Sequence, residues 1–356
     1  MINRIISPIS KPIVREKSNK GKVVFGLIIL LIVGGLAYWL LNRPAHQDEL
    51  QESSTSLLPS INGQMVDPNL AKQRPVAVVI ENHTDSRPQS GYTNAEIVYE
   101  SLAEGGITRT LAVFQTKEAR SIGPIRSARP YFNFIANQWG AIYVHSGGSK
   151  QALSELTAGV HNNLYDVNEF YFGKYFNRNS SRYAPHNLYS STEELTKLAE
   201  AEKEQNWNPV KLWNFGDTMS TEQDQKINNI IIPFSIANYE VNYKFNSEKN
   251  SYERIVGGKA SIDAESNEPV LAKNILIQFA DTNLNPDDDL GTLNIKLNNS
   301  GPCILFTANL RKDCRWSFEG GKTIYKDMDG NDLTLQAGQT WVEIFPRDRQ
   351  NEVTSS

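Results

Sequence analysis

Cysteine is nearly absent from this chain: Cys303 and Cys314 are the only two in 356 residues. Neither stands near the amino-terminal apolar run, so an anchor built on a lipid-modified cysteine is not expected there. A large basic excess is missing as well. The net charge of −4 gives no bulk reason to expect nucleic acid as a partner. No internal repeat is evident. No nucleophile elbow, phosphate loop or HExxH occurs, so the familiar sequence signs of hydrolase, nucleotide and zinc-protease chemistry are absent. "DMDGND" (327–332) has a calcium-loop look, but the twelfth position is Gly338 rather than an acid, and the EF-hand pattern fails. Asp329-Gly330 reads better as a turn, and Asp287-Asp288-Asp289 as a solvated loop. No cofactor and no metal is expected. The hydrophobic share of 39% is slightly low for one compact body, which points to polar segments outside the core.

One long apolar run is present. Residues 23–41, "VVFGLIILLIVGGLAYWLL", are uncharged and long enough to cross a bilayer as a helix. Arg4, Lys11, Arg15, Lys17, Lys20 and Lys22 precede it against Glu16 alone. That asymmetry predicts a cytoplasmic tail over 1–22, a single-pass anchor over 23–41 and an extracytoplasmic remainder. The competing reading is a signal peptide cut after the small-x-small triplet Gly35-Leu36-Ala37, but the apolar run continues past it to Leu41. Residues 42–73 are polar, without periodicity, and predict a flexible tether.

Two modules are expected beyond the tether. In 74–216, "RPVAVVIEN" predicts a strand, and "AEIVYESLAEGGITRTLAVFQ" two strands joined through Gly105-Gly106. Ser127 is positioned to cap a helix that carries Pro130 in its first turn and stops at Gly140. A strand ending at His145, a Gly147-Gly148 turn and a helix capped by Ser149 follow. This order implies an α/β (α+β) module with helices on a mixed sheet. Residues 165–186, with seven aromatics and no clean period, predict a long ordered loop able to stack on sugars or dock a protein. Ser191 and Glu194 form a capping box for a helix running to about Asn206. Trp207–Asp224 reads as a joint. Over 227–347 short strands separated by turn signals predict a mostly antiparallel β module.

"RPVAVVIEN", "RPQSG", "EIVYESLAEGGITR", "IGPIRSARPYF", "YVHSGGS", "SSRYAPHNLY" and "GQTWVEIFP" resemble, in order, the YerB-like family of bacterial envelope lipoproteins, over roughly 74–347. The resemblance implies an extracytoplasmic protein of two modules whose functions are unknown, so it carries no reaction. It implies a lean toward binding, because members of the family are linked to partners in peptidoglycan synthesis.

The polar residues of these motifs fall at strand ends and loops, where α/β sheets usually bind ligands. Arg87, Arg109, Arg126, Ser127, Arg129, His145, Ser149, Arg178, Arg182 and His186 are the expected ligand-binding set. The helix starts after Ser127 and Ser149 would add backbone N–H groups for an anion. The competing structural reading pairs Arg109 or Arg126 with Glu81, Glu100 or Glu104 inside the fold. Between Arg126 and Arg129, one is expected to brace the fold and the other to face a ligand. Glu81, His145 and His186 are the candidate acid and base groups. Cys303 and Cys314 are expected to form a disulfide across a hairpin turning at Ala308-Asn309, which sets 303 opposite 314. The resulting expectation is a membrane-anchored binding or regulatory protein that is not an enzyme. Its partner would be an acidic glycan, peptide or envelope protein, with the peptidoglycan machinery possible. The alternative is a cell-wall hydrolase or transferase using Glu81 with His145 or His186.

Overall fold

Val76–Glu81 (β1) is buried along its whole length, as expected of a strand covered on both faces. It lies within a sheet that also takes in Ile97–Leu102 (β2), Thr108–Phe114 (β3), Ile142–His145 (β4) and Tyr165–Asn168 (β5) from the first half of the chain. From the second half of the chain come Asn229–Pro233 (β6), Glu240–Asn246 (β7), Ser251–Val256 (β8), Asn274–Ala280 (β9), Ser300–Thr307 (β10), Leu310–Glu319 (β11), Lys322–Asp327 (β12), Thr340–Pro346 (β13) and Thr354–Ser355 (β14). The principal helices are Lys20–Leu41 (α1), Pro130–Trp139 (α2), Lys150–Thr157 (α3) and Thr192–Glu202 (α4). This computed structural model describes residues 20–42, 56–217, 226–286 and 290–356.

Residues 55–356 form one compact unit. Its ten-stranded sheet has the order β12-β11-β10-β9-β13-β2-β3-β1-β4-β5. The mixed sheet expected of the first module is there, but strands of the second half complete it. β9 pairs in parallel with β13, and β13 in parallel with β2. Parallel partners so far apart in sequence leave no hairpin signal, which is why the seam is invisible in the residue pattern. The remaining strands β6, β7, β8 and β14 build a separate antiparallel sheet with two short additions. It packs across one face of the large sheet, where Val78, Ile80, Val98, Phe345 and Trp341 meet Ile230, Ile232, Tyr243 and Tyr252. The opposite face carries α2, with Tyr131, Phe132, Ile135 and Trp139 against Val79, Leu111 and Tyr143.

Local expectations hold in part. Gly140 ends α2 in the left-handed region, φ 59°, where a side chain would be disfavoured. Ser149 caps α3 through the Ala152 N–H, and Ser191 caps α4 through the Glu194 N–H. Ser127 caps nothing: Arg129 occupies the N-cap of α2, and Pro130 begins the helix. The stretch 165–186 is more structured than a loop, since it contributes edge strand β5, a short helix Glu169–Phe172 and strand Asn177–Arg178. The later part of the proposed tether is also folded. Ser60, Ile61 and Asn62 are buried, and the Ile61 N–H donates to Gln115 Oε1 at 3.0 Å. Side-chain hydrogen bonds hold that segment, so it shows no hydrophobic period. The earlier tether, most of the basic tail and the Asp287–Asp289 run lie outside the described residues.

The other unit, residues 1–54, is described only through α1. At about 1.5 Å per residue its 22 residues span about 33 Å. Its side chains are described from Leu31 on, and among the described residues no helix is long and apolar enough to cross a membrane.

Cys303 and Cys314 face each other across the β10–β11 ladder and form a disulfide, with Cα atoms 4.8 Å apart. The hairpin turns at Ala308 and Asn309, both at positive φ. The bond closes a loop of sequence separation 11, worth about 2–3 kcal/mol in the chain-entropy model. Reduction should lower the free energy of unfolding by that amount without changing the fold. Denaturant melts with and without reductant check it, and equal stability would show the bond to be idle.

Candidate functional site

The carboxyl ends of parallel strands β1 and β4 share a rim with the start of antiparallel β3. Glu81 is the last residue of β1 and is only 2% exposed. The segment after Gly123 returns alongside β1, its Pro124 carbonyl accepting from Glu81 N–H while the Arg126 N–H donates to Val79. That places the Arg126 Nε 3.1 Å from Glu81 Oε1. The other oxygen, Oε2, lies 2.9 Å from His186 Nδ1. A carboxylate can only accept here, so His186 carries its proton on Nδ1 and leaves Nε2 without one in the neutral ring. His186 stacks on His83, ring centres 5.1 Å apart and planes 15° from parallel. Asp85 completes the group: its backbone N–H donates to His83 Nδ1 at 3.2 Å, and its Oδ2 lies 3.6 Å from the same nitrogen.

The structure brings Glu81, Arg126 and His186 together but sets His145 apart. His145 is fully buried, with Nδ1 2.7 Å from the Gly147 carbonyl and Nε2 2.6 Å from Asp166 Oδ1. Both ring nitrogens are used, so His145 holds the Gly147 turn and is no acid or base for Glu81. Arg129 is the bracing arginine. Its Nε and Nη2 both bond Glu104, and Nη1 donates to the Ala128 carbonyl at 2.7 Å. Burial works against both charges, but their mutual bonds prevail: the Glu104 carboxyl is held below its ordinary range and the Arg129 guanidinium above.

Arg109 is buried beneath them, donating to the Ser127 carbonyl at 3.3 Å and lying 3.9 Å from Glu104. Burial, then the Arg129 charge, pulls its pKa down to about 10. Arg87 is committed to Asn82 and to the Asn238 carbonyl, over the Tyr239 ring. Arg182 is committed to the Ser86 and Pro88 carbonyls. Arg87, Arg109, Arg129 and Arg182 are thus engaged with other groups of the fold, as is the Ser149 hydroxyl, while Ser127 contributes its carbonyl to Arg109 and Arg129. Arg178 is half-exposed but bonded to Glu169 and Asn187. Arg126 differs: its side chain is 27% exposed, and neither terminal nitrogen has a hydrogen-bond partner among the described residues.

Sequence reasoning missed His83 and Asp85. The only signal was their spacing: Glu81, His83 and Asp85 alternate along "ENHTD" immediately after a strand. It also undervalued a second polar group between the two sheets. There Glu100, 0% exposed, pairs with Arg254 at 2.5 Å and accepts from Asn82 at 3.0 Å and Thr108 at 2.5 Å. Two cavities of about 420 and 410 Å³ are lined by Lys211, Trp213 and Tyr325 and by Arg74, Phe114 and Thr192, and neither includes a residue of the Glu81 rim.

Residues 61–206 match the N-terminal domain, and residues 230–342 the C-terminal domain, of a protein family of unknown function, DUF3048. The chain is 32% identical over 314 residues to the Bacillus subtilis (strain 168) protein titled "Putative lipoprotein YerB", covering 87% of this chain and 92% of the relative. The chain belongs to the DUF3048 family. The crystal structure of Bacillus subtilis YerB superposes with a TM-score of 0.75 at 31% identity, over 84% of this chain and 99% of that one. The DUF3048 N-terminal match contains the entire Glu81 rim, and the C-terminal match contains Arg254 and the disulfide hairpin.

Proposed function

We propose that this DUF3048 protein is a membrane-anchored, extracytoplasmic binding or regulatory protein of the bacterial envelope. In this reading it holds an acidic glycan, peptide or protein partner linked to peptidoglycan metabolism. The single-pass anchor rests on the apolar 19-residue run, the basic residues before it and the length of α1. The envelope assignment also draws on the lipoprotein name of the relative. The observation that carries the binding role is the surface of the segment that delivers His186 to Glu81. It exposes Phe170, Tyr171 and Tyr183 at 71%, 81% and 91%. Soluble surfaces seldom leave several large aromatics so open without a partner, and flat rings suit sugar faces and peptide docking. Arg126 supplies the one cation of the rim with terminal nitrogens free among the described residues. The enzyme alternative has less behind it: Glu81 is buried under Arg126 and His186, and His145 is spent elsewhere.

The test uses acidic muropeptides and the full chain in detergent. Arg126→Ala should weaken binding about tenfold or more, the scale of one charge-assisted contact, and the loss should shrink in high salt. Tyr183→Ala should weaken it too. Arg129→Ala should instead lower thermal stability, since it strips Glu104 of its partner. Unchanged affinity in both the Arg126 and Tyr183 variants would end this reading.

A further inference from the structure

We propose that His83, Asp85 and His186 form a binding site for one divalent transition metal of the zinc class, with Glu81 as the group that orients His186. The ligating atoms of the three residues all lie within 4.8 Å of one another. In a tetrahedral site with bonds of about 2.0–2.2 Å, ligand atoms stand about 3.4 Å apart. His83 Nδ1 and Asp85 Oδ2, 3.6 Å apart, already have nearly that spacing. Closing a gap of 4.8 Å to that spacing requires side-chain adjustment of about 1.4 Å.

The protonation pattern is the stronger sign. His83 Nδ1 accepts a backbone N–H from Asp85, so in the neutral ring this nitrogen is the unprotonated one, and a metal would take its lone pair in place of that 3.2 Å bond. His186 donates Nδ1–H to Glu81, which leaves Nε2 bare in the neutral ring. A histidine that ligates a metal through one nitrogen while giving its other N–H to a carboxylate is the usual supporting arrangement around such ions. Glu81 is buried and fixed by Arg126, so it sets both the tautomer and the angle of the ring.

Two imidazoles and one carboxylate suit zinc, cobalt, nickel or copper. They do not suit magnesium or calcium, which prefer oxygen cages. Three protein ligands also leave a fourth position for water or a bound group, the form of an open rather than a purely structural site. Asp85 is 70% exposed and His83 37% at the side chain, so that position faces solvent. The site does not depend on the nature of any wall ligand.

The test is zinc titration of the chelator-stripped full chain in detergent, in competition with a chromophoric chelator. The wild type should bind one zinc per chain, and an excess of magnesium should not displace it. Asp85→Asn, an exposed change that leaves the fold alone, should weaken zinc at least tenfold. The double variant His83→Ala/His186→Ala should abolish the site. Glu81→Gln should weaken it about 10–100-fold, the usual cost of losing an orienting partner, while His161→Ala should change nothing. Cobalt loaded in place of zinc should give a visible spectrum of nitrogen ligation in the wild type and lose it in the double variant. A wild type that binds no zinc, or an Asp85→Asn protein and a folded double variant that bind it as the wild type does, overturns the site.

Discussion

An Arg254→Met protein is expected to lose about 3–5 kcal/mol of unfolding free energy, the usual cost of stripping one partner from a buried ion pair. Arg254 stands on β8 in the antiparallel sheet, with its side chain 2% exposed. Its Nη2 reaches Glu100 Oε2 on β2 at 2.5 Å, Nη1 donates to Ser261 Oγ at 2.8 Å, and the guanidinium lies 4.6 Å from the Trp341 ring centre on β13. One side chain thus ties both sheets and both DUF3048 matches together. Burial disfavours its charge, yet the Glu100 carboxylate lifts its pKa above the ordinary value. Methionine fills most of the volume but leaves Glu100 charged in an apolar layer with only Asn82 and Thr108 to serve it. Adding Glu100→Gln should therefore recover at least half the loss, because the stranded charge is the main cost. Urea unfolding of the wild type, the single and the double variant measures this. A single variant within about 1 kcal/mol of the wild type would remove Arg254 from the stability of the seam.

How much of this could be read from the residues depends on the range of the interaction. β1, β2, β3 and β4 show as apolar runs, and Gly140, Ser149 and Ser191 mark helix ends, because capping and turns act within a few positions. The Cys303–Cys314 pairing follows from counting outward from one two-residue turn. By contrast, β13 inserting in parallel between β9 and β2 involves partners more than 60 and 240 positions away, and nothing local encodes that. The arginines teach the same lesson. Composition shows that Arg109, Arg126 and Arg129 need anions, but only the return of the 123–129 segment along β1 decides which carboxylate each one meets. Arg129 takes Glu104, and Arg126 reaches Glu81 with two nitrogens to spare. His83 was passed over because a lone histidine carries no period. It gains meaning when the 165–186 segment folds back and lays His186 on it.

The seam also holds a carboxyl that the fold keeps protonated. Glu343 on β13 is the ladder neighbour of Glu100 on β2, and both are 0% exposed. Burial first, and the Glu100 charge second, push the Glu343 carboxyl well above its ordinary value of 4.5. Tyr243 donates to Oε1, while Oε2 has no hydrogen-bond partner among the described residues. One arginine cannot neutralise two carboxylates, so Glu343 stays neutral and Arg254 goes to Glu100. The consequence for stability has a definite sign. Above about pH 4.5 the unfolded chain releases this proton while the folded chain keeps it. The folded state then binds more protons, and stability falls as pH rises until the buried carboxyl itself titrates. Below about pH 4.5 both states hold the proton and the penalty vanishes. Glu343→Gln keeps the shape and the bond from Tyr243 but has no proton to lose. It is therefore expected to be more stable than the wild type at about pH 7. The gain should exceed about 1.4 kcal/mol, the value of a single tenfold preference for the protonated form. The two proteins should converge at about pH 4. Urea unfolding across that range reads the difference directly, and buried carboxyls away from Glu343, such as Glu96, cancel because both proteins share them. A variant less stable than the wild type at about pH 7, or an advantage that does not change with pH, would mean that Glu343 is ionised in the fold and that its charge is matched by Arg254.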